Sequence, residues 1–280
     1  FHDQDHFRFN FLVHETDGQP DGLIPLVFNS LENRHELFGG SYADSRVLWI
    51  QSAHFPECFE ALPENTTFFD LQGSWVDGML AQHPGFEPNF VERDDQFFVS
   101  PAEFDYSFDS YMLQRFSKDR RKGFEHDLKK IRARNPELSW GAEDETELFF
   151  QMTIKNFGEE SDHATESGRA EVRRVVKELQ DMNALRTLTI RIDGEKQATS
   201  MSCLFKNMMV VLYAGSNNDY DNLGKLLNIE TIQEGCRLQV GEVNYMTGTA
   251  WKAAWKMNRN PCRTMRKPAR ELPAAEAPAG

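Results

Sequence analysis

Apolar and polar residues alternate at the start of the chain. Every second residue over positions 7–13 is apolar, which is the period of a β-strand. Residues 17–22 are rich in aspartate, glycine and proline, and an apolar run over 23–28 follows them. The pattern predicts a β-hairpin at the beginning of the chain.

Helical spacing appears further along the chain. Phe124, Leu128 and Ile131 recur at intervals of three and four residues within a basic segment, which predicts a helix over 108–134 that ends before Pro136. A second helix is expected over 145–156, and an apolar stripe of the same period predicts another helix over 171–182.

A strand-rich segment follows these helices. Alternating residues over 188–192, the turn pair Asp193-Gly194 and apolar runs over 197–205 and 208–214 predict three consecutive antiparallel strands. A helix over 223–238 and a strand over 242–246 complete the series. This order predicts an α+β fold, with a mixed but mainly antiparallel sheet flanked by helices.

Composition and charge narrow the range of possible functions. The 280 residues are 40% apolar and 27% charged, which is typical of a folded chain, and the net charge of −13 disfavours nucleic acid over the whole surface. Two segments oppose this charge: residues 115–134 hold nine basic and three acidic residues, and 251–270 hold seven basic residues and no acid. They favour local binding of a small anion, although solvated helix faces explain them equally well.

Other features of the sequence argue against membrane-spanning, secreted and metal-binding classes of protein. The longest apolar run, 208–214, is too short to span a membrane, and no signal peptide precedes the first predicted strand. The four cysteines and eight histidines show no metal-ligand spacing, so no metal site is expected. These features predict a cytoplasmic protein without a membrane span and without DNA as a partner.

Three short segments carry candidate chemistry. Residues 213–226 join a strand, a loop and the start of a helix, where free N–H groups, Gly224 and Lys225 suit a phosphate, although such a segment is also ordinary architecture. Lys252, beside Trp251, is a candidate for stabilising an oxyanion, or is a surface lysine next to a packed indole. Lys118 and Arg121 share a helix face that suits an anionic acceptor or simply water.

In this order, the segments resemble the GNAT acyltransferase superfamily. The resemblance is strongest to its cellulose-biosynthesis-type acetyltransferase branch, which is related to the Fem-type aminoacyltransferases with tandem lobes. The matching motifs lie at 117–122, 193–198, 213–215, 224–227, 244–248 and 251–255. Asn244 and Met246 stand where the branch has aspartate and glycine.

The resemblance implies two tandem GNAT-like lobes. The N-terminal lobe is expected over residues 1–104, without its opening helix, and the C-terminal lobe, with the donor site, over 105–260. Residues 261–280 are expected to form a basic and then Ala/Pro-rich disordered tail.

The resemblance also implies a reaction. An acyl group, acetyl or another, passes from acyl-CoA to an amine or hydroxyl by direct attack. The residues implied in coenzyme A binding are Ala214, Gly215, Asn222, Leu223, Gly224, Lys225 and Leu226. Those implied in catalysis are Lys252, for charge stabilisation, and Tyr213 or Tyr245, for returning a proton to the thiolate. Lys118, Arg121 and Trp251 are assigned to the acceptor.

Alternatives to this reaction remain open at this point. A Fem-type transferase would use aminoacyl-tRNA through the two basic segments, and a non-catalytic member would use the same lobes as a binding module. The acceptor is a small molecule or a cell-envelope precursor, and the oligomeric state is not determined by the sequence.

Overall fold

The computed structural model describes residues 6–39, 46–161, 163–248 and 251–269. The chain divides into two compact units. The first contains Phe1–Gln96 and Arg259–Gly280, and the second contains Phe97–Asn258. The boundary therefore lies a few residues before the expected one at residue 104, and the chain returns to the first unit near its end.

The strands among these residues are β1 (Phe7–Thr16), β2 (Gln19–Asn29), β3 (Arg34–Leu37), β4 (Thr66–Gln72), β5 (Phe90–Glu92), β6 (Gln96–Val99), β7 (Glu137–Gly141), β8 (Leu185–Ile192), β9 (Glu195–Phe205), β10 (Met208–Ser216), β11 (Glu242–Thr247), β12 (Asn258–Asn260) and β13 (Cys262–Lys267). The helices are α1 (Phe55–Ala61), α2 (Gly73–Gln82), α3 (Phe108–Arg115), α4 (Lys118–Arg132), α5 (Thr146–Phe157), α6 (Glu166–Asp181) and α7 (Leu223–Arg237). None of the helices in this described part is long and apolar enough to cross a lipid bilayer.

The first unit contains the predicted hairpin. Thr16 pairs with Gln19, so that only Asp17 and Gly18 form the turn, with φ of 52° and 75°. Positive φ at both positions is the geometry of the tight turns that match the twist of a hairpin. The full sheet has the order β1-β2-β3-β4-β13-β5, and α1 and α2 help to cover its apolar face.

The prediction of a disordered tail from residue 261 was wrong for Cys262–Lys267. This segment is β13, which pairs antiparallel with both β4 and β5. Three of its six side chains, Cys262, Thr264 and Met265, are buried. Long-range pairing of this kind leaves no local sign beyond a short alternation. Residues 270–280 of the predicted tail lie outside the described residues.

The second unit is built on a sheet in which its strands have the order β6-β11-β10-β9-β8-β7. One face packs on α5 and α6, with a core that includes Phe149, Val176 and Met201. The other face packs on α3, α4 and α7, with a larger core that includes Leu188 and Ile232. The predicted fold class is therefore confirmed: α+β, with mainly antiparallel sheets flanked by helices.

The predicted helix over 108–134 is two helices. The chain leaves helical geometry at Phe116 and Ser117, and the Ser117 hydroxyl accepts a hydrogen bond from the backbone N–H of Arg120 over 3.4 Å. Serine in this position caps a helix N-terminus, because its side chain replaces the missing backbone acceptor. The first basic segment therefore starts a new helix, α4, rather than continuing α3.

Candidate functional site

The central feature of the second unit is the separation of two parallel strands. β10 and β11 pair through three positions, of which the last joins Val210 to Asn244. β10 continues to Ser216 and β11 to Thr247 without further pairing between them. Backbone groups of β10 beyond Val210, on the edge that faces β11, therefore lie where a ligand can meet them.

The start of α7 follows directly from the open end of β10. Asn222 has a left-handed φ of 67°, and its carbonyl accepts the first helical hydrogen bond, from the Leu226 N–H over 3.0 Å. The N–H groups of Gly224 and Lys225 precede that bond, in the turn where a helix has no internal acceptors for them. Leu223 is fully buried in the core, so it offers a ligand only its backbone.

A Cβ atom at Gly224 would lie 3.2 Å from the Ser216 hydroxyl oxygen, so the backbone of α7 and the end of β10 approach closely. A glycine is required at position 215 for a different reason. A Cβ there would lie 3.2 Å from the Cβ of Met152, so this glycine allows α5 to pack against β10. The neighbouring Ala214 is exposed at the open end of the strand.

Polar side chains hold the loop between β10 and α7. Lys155 donates to the Asn217 side chain over 2.9 Å and to the Asp219 carboxylate over 2.5 Å. Asn156 donates to the Ser216 carbonyl over 2.9 Å, and Asn217 donates to the Gln197 side chain over 2.8 Å. The loop is thus fixed from α5 and β9, which pre-orders the approach to the start of α7.

Lys225 is engaged by a neighbouring helix. Its ammonium donates to the carboxylate of Asp127 on α4 and, over 3.2 Å, to the side-chain oxygen of Asn222. The hydrogen bond from Lys225 holds the pKa of Asp127 below its ordinary value. The basic helix therefore lies against the candidate phosphate site, but it places an acid, Asp127, on the nearest cation.

The two tyrosines assigned to catalysis lie in different cores. Tyr213 packs on Phe149, with ring centroids 5.5 Å apart, on the α5 and α6 side of the sheet. Tyr245 belongs to the core on the opposite side, and its hydroxyl donates to the Asn228 carbonyl over 3.3 Å. The register of β10 shifts between Val211 and Tyr213, and such a shift turns the following side chains to the other face.

Both phenols remain protonated at neutral pH. Burial, with a smaller contribution from Glu171, raises the pKa of Tyr213 to about 12. Burial, and then the charge of Tyr111, raises the pKa of Tyr245 well above its ordinary value. Tyr213 is the less buried of the two, so it is the better placed to meet a ligand.

Lys252 is buried, with 8% of its surface exposed. Its ammonium donates to the carbonyls of Tyr245 over 2.5 Å and Thr247 over 2.7 Å, and lies 3.4 Å from that of Met246. An ammonium has three protons, and these contacts use that capacity within the backbone at the end of β11. The geometry favours a structural role for Lys252 over contact with an oxyanion, and its catalytic role stays a prediction.

The residues assigned to the acceptor are not gathered into one contact. Lys118 and Trp251 are exposed, and the Trp251 indole meets Tyr245 edge-on with centroids 6.3 Å apart. Arg121 donates to the Phe116 carbonyl over 2.5 Å and lines a cavity of about 500 Å³ among α3, α4 and α7. The other lining residues are Phe108, Asp109, Met112, Leu113, Phe124, Glu125, Leu128, Arg132, Ile229 and Gln233.

The end of β11 contains residues whose roles sequence reasoning missed. The Asn244 side chain accepts a hydrogen bond from the Met246 N–H over 2.7 Å and donates to Glu242 over 2.7 Å. Met246 has a φ of 62°, in the left-handed region that favours glycine. The signal was present, because glycine is the residue that the resembling branch has at this position. Thr249 and Ala250 of the same motif lie outside the described residues.

The two basic segments meet only in part. The ring of Trp255 packs on Phe124 of α4, with centroids 5.3 Å apart, which brings the 3-10 helix Lys252–Trp255 against the first segment. The later cations belong to the first unit. Arg263 donates to Asp77 over 2.8 Å, and Lys267 donates to three carbonyls at the end of α1. These two cations therefore interact with groups of the first unit itself.

Comparison with known proteins adds to this geometry. The profile of a family described as "Acetyltransferase (GNAT) domain" matches residues 115–257. No curated protein matches the chain. The matched residues contain α4, β7 to β11 and α5 to α7, which include the separated strands and the start of α7.

Several solved structures share the fold over most of the chain. FemX is 10% identical, with 93% of this chain and 88% of that chain covered and a TM-score of 0.62. L-PGS from Bacillus licheniformis is 10% identical, with 92% and 84% covered and a TM-score of 0.55. A tandem GNAT protein from the clavulanic acid biosynthesis pathway is 11% identical, with 95% and 85% covered and a TM-score of 0.52.

Proposed function

The chain belongs to the GNAT acetyltransferase domain family, and from this premise we propose that its second unit transfers an acyl group from acyl-CoA to an amine or hydroxyl. The observation that carries the proposal is the separation of β10 and β11 after Val210 and Asn244, next to the start of α7. A pantetheine arm fits between separated strands, because its amide groups can pair with strand backbone. The pyrophosphate would meet the N–H groups of Gly224 and Lys225.

The transfer needs no covalent enzyme intermediate. The nucleophilic nitrogen or oxygen of the acceptor forms a bond to the thioester carbon and loses its proton to solvent, and the C–S bond then breaks to release the thiolate of coenzyme A. Backbone N–H groups of β10 beyond Val210 would stabilise the oxyanion. Tyr213 is our candidate for returning a proton to the thiolate, because its phenol is protonated at neutral pH and is more accessible than that of Tyr245.

The donor separates this proposal from its alternatives. Aminoacyl-tRNA is the competing donor, and a module that binds without catalysis is the third possibility. The acceptor class, an amine or hydroxyl on a small molecule or a cell-envelope precursor, stays a proposal, as does a cytoplasmic location. Arg121 and Arg132 are the cations that a negatively charged acceptor would meet at the 500 Å³ cavity.

Ligand-dependent unfolding tests the donor. We expect acetyl-CoA or free coenzyme A, at one hundred times its Kd, to raise the free energy of unfolding by about 2.7 kcal/mol. Gly224→Glu should abolish this rise, because the new carboxylate repels phosphate while remaining favourable at a helix N-terminus. Gly123→Glu adds the same charge at an exposed position of α4, away from the proposed phosphate site. This variant should show the same ligand-dependent rise in unfolding free energy as the wild type.

The outcomes are distinct. Stabilisation by coenzyme A species that Gly224→Glu removes and Gly123→Glu preserves supports the proposal. Stabilisation by aminoacyl-tRNA and by no coenzyme A species would show that aminoacyl-tRNA is the donor instead of acyl-CoA. The absence of a shift with both donor classes would overturn the transferase proposal in favour of the binding module.

A further inference from the structure

Two histidines and two carboxylates meet in the first unit, away from the proposed donor site. His14 lies on β1, Asp21 on β2, His54 ends the 3-10 helix Ser52–His54, and Glu57 lies on α1. The imidazole rings of His14 and His54 stack with centroids 4.1 Å and planes 25° apart, so one ring has to turn before both can direct a nitrogen lone pair at one point. The fold thus brings the β1–β2 hairpin and the continuous segment 52–61 together around one point.

The distances within this cluster suit a metal ion. One potential ligand atom from each of His14, His54 and Glu57 lies within 4.8 Å of the other two. His14 Nε2 lies 3.2 Å from Glu57 Oε2. Two ligands bound to one Zn²⁺ at about 2.0 Å and at a tetrahedral angle stand roughly 3.3 Å apart. This pair of atoms therefore already has the spacing of two ligands on one ion.

Asp21 supplies the supporting contact that metal-binding histidines require. Its carboxylate lies 2.5 Å from His14 Nδ1 and accepts a hydrogen bond from the Thr16 hydroxyl over 2.6 Å. With an ion on Nε2, a carboxylate on Nδ1 would hold the proton there and fix the direction of the ring. His14 is only 12% exposed, so the ring is held by its surroundings as well.

We propose that His14, His54 and Glu57 form a binding site for a transition-metal cation of the Zn²⁺ class, with Asp21 as the positioning residue for His14. Imidazole nitrogens select Zn²⁺, Ni²⁺ and Cu²⁺ over Mg²⁺ and Ca²⁺, which prefer sets of oxygen ligands. Three protein ligands leave a coordination position for a ligand from solution. Glu57 is 77% exposed, so the ion can enter from the solvent side.

Isothermal titration of untagged, chelator-treated full-length protein with zinc chloride tests the site. We expect one Zn²⁺ per chain and at least 100-fold weaker binding in His54→Gln and in Glu57→Gln. Asp21→Asn should weaken binding 10- to 100-fold, the range for partners that orient a ligand. His126→Gln, which removes an exposed histidine of α4, should bind as the wild type does.

Melting temperatures of the metal-free variants separate a lost ligand from a lost fold. His54→Gln and Glu57→Gln should unfold near the wild-type temperature without metal, and they should lose the rise that zinc gives the wild type. Co²⁺ in place of Zn²⁺ should give the visible bands of a nitrogen- and oxygen-ligated ion. No stoichiometric zinc, equal binding by His54→Gln and the wild type, or a thiolate-to-Co²⁺ band would each overturn the proposal.

Discussion

The ammonium of Lys252 donates to the backbone carbonyl of Tyr245 over 2.5 Å, from a position that also reaches the Thr247 carbonyl. A Cβ atom at Gly248 would lie 2.9 Å from this nitrogen, so the turn closes tightly around it. The side chain therefore fastens the end of β11 to the 3-10 helix Lys252–Trp255. Sequence motifs alone associate the same lysine with the reacting acyl group, and the two roles have different experimental consequences.

Replacing Lys252 by methionine should cost about 2–3 kcal/mol of unfolding free energy, because buried carbonyls lose a charged donor. Urea unfolding measures this loss. Lys122→Met, on the exposed side of α4, should change stability by less than about 0.5 kcal/mol. A Lys252→Met protein with wild-type stability but almost no turnover would instead show that the ammonium acts on the substrate.

Asp127→Asn should tighten binding of coenzyme A about fivefold, if the donor proposal holds. The substitution removes the carboxylate that neutralises Lys225 and leaves this cation to the phosphates. Calorimetric titration at low salt measures the change, which should shrink at 1 M salt because the charges are screened. Glu125→Gln removes the same charge from α4 two residues earlier and should have little effect. If the wild type and Asp127→Asn bound coenzyme A with equal affinity, Lys225 would not contribute to phosphate binding.

Glu234 should give the second unit an acid-sensitive component of stability. Burial would raise its pKa, but hydrogen bonds from Arg237 and Arg186 outweigh burial and lower the pKa below the ordinary 4.5. Its stabilisation is therefore present above about pH 4.5 and is lost as the pH falls through the lower folded-state pKa.

We expect Glu234→Gln to lose about 3 kcal/mol at pH 7, since two guanidinium groups lose their buried partner. The difference from the wild type should shrink as the pH falls below 4.5. Urea unfolding at a series of pH values measures both. A difference that stayed constant with pH would contradict the assigned ionisation.

Two helical glycines should respond to alanine in opposite directions. A Cβ at Gly235 of α7 would overlap a methyl carbon of Val243 on β11, so Gly235→Ala should destabilise the protein by about 2–4 kcal/mol. Nothing lies within 4 Å of a Cβ at Gly123 of α4, so Gly123→Ala should stabilise it by up to about 1 kcal/mol. Thermal and urea unfolding measure both changes. Val243→Ala should recover part of the Gly235→Ala loss, and no recovery would show that Val243 is not the obstacle.

Local pattern was sufficient to predict the elements that form the proposed donor site. The helix predicted over 223–238 is Leu223–Arg237, and the strand predicted over 242–246 is Glu242–Thr247. In these segments the apolar period and the turn residues agree with the tertiary packing, so the secondary structure can be predicted from the local sequence. The resemblance to the GNAT superfamily, with a tandem fold like that of FemX, is likewise confirmed.

The arrangement of side chains across the sheet was not predictable in the same way. Regular alternation would put Tyr213 on the same face as Met209 and Val211, but the register shift after Val211 turns it to the opposite face. A shift of one position leaves no mark in the composition of the strand. The histidine cluster was missed for a related reason, since His14 and His54 are distant in the sequence and only folding brings them together.

The position of β13 has a consequence for biosynthesis. β5 has β13 as its neighbour in the sheet, and β4 needs β13 to complete one of its two edges. A ribosome synthesises β4 and β5 before any of the second unit and β13 after it, so the edges of β4 and β5 lack this partner while the second unit is translated. The unit that is made first is therefore the last to be finished. A translational stall within the second unit would leave open strand edges available to other nascent chains.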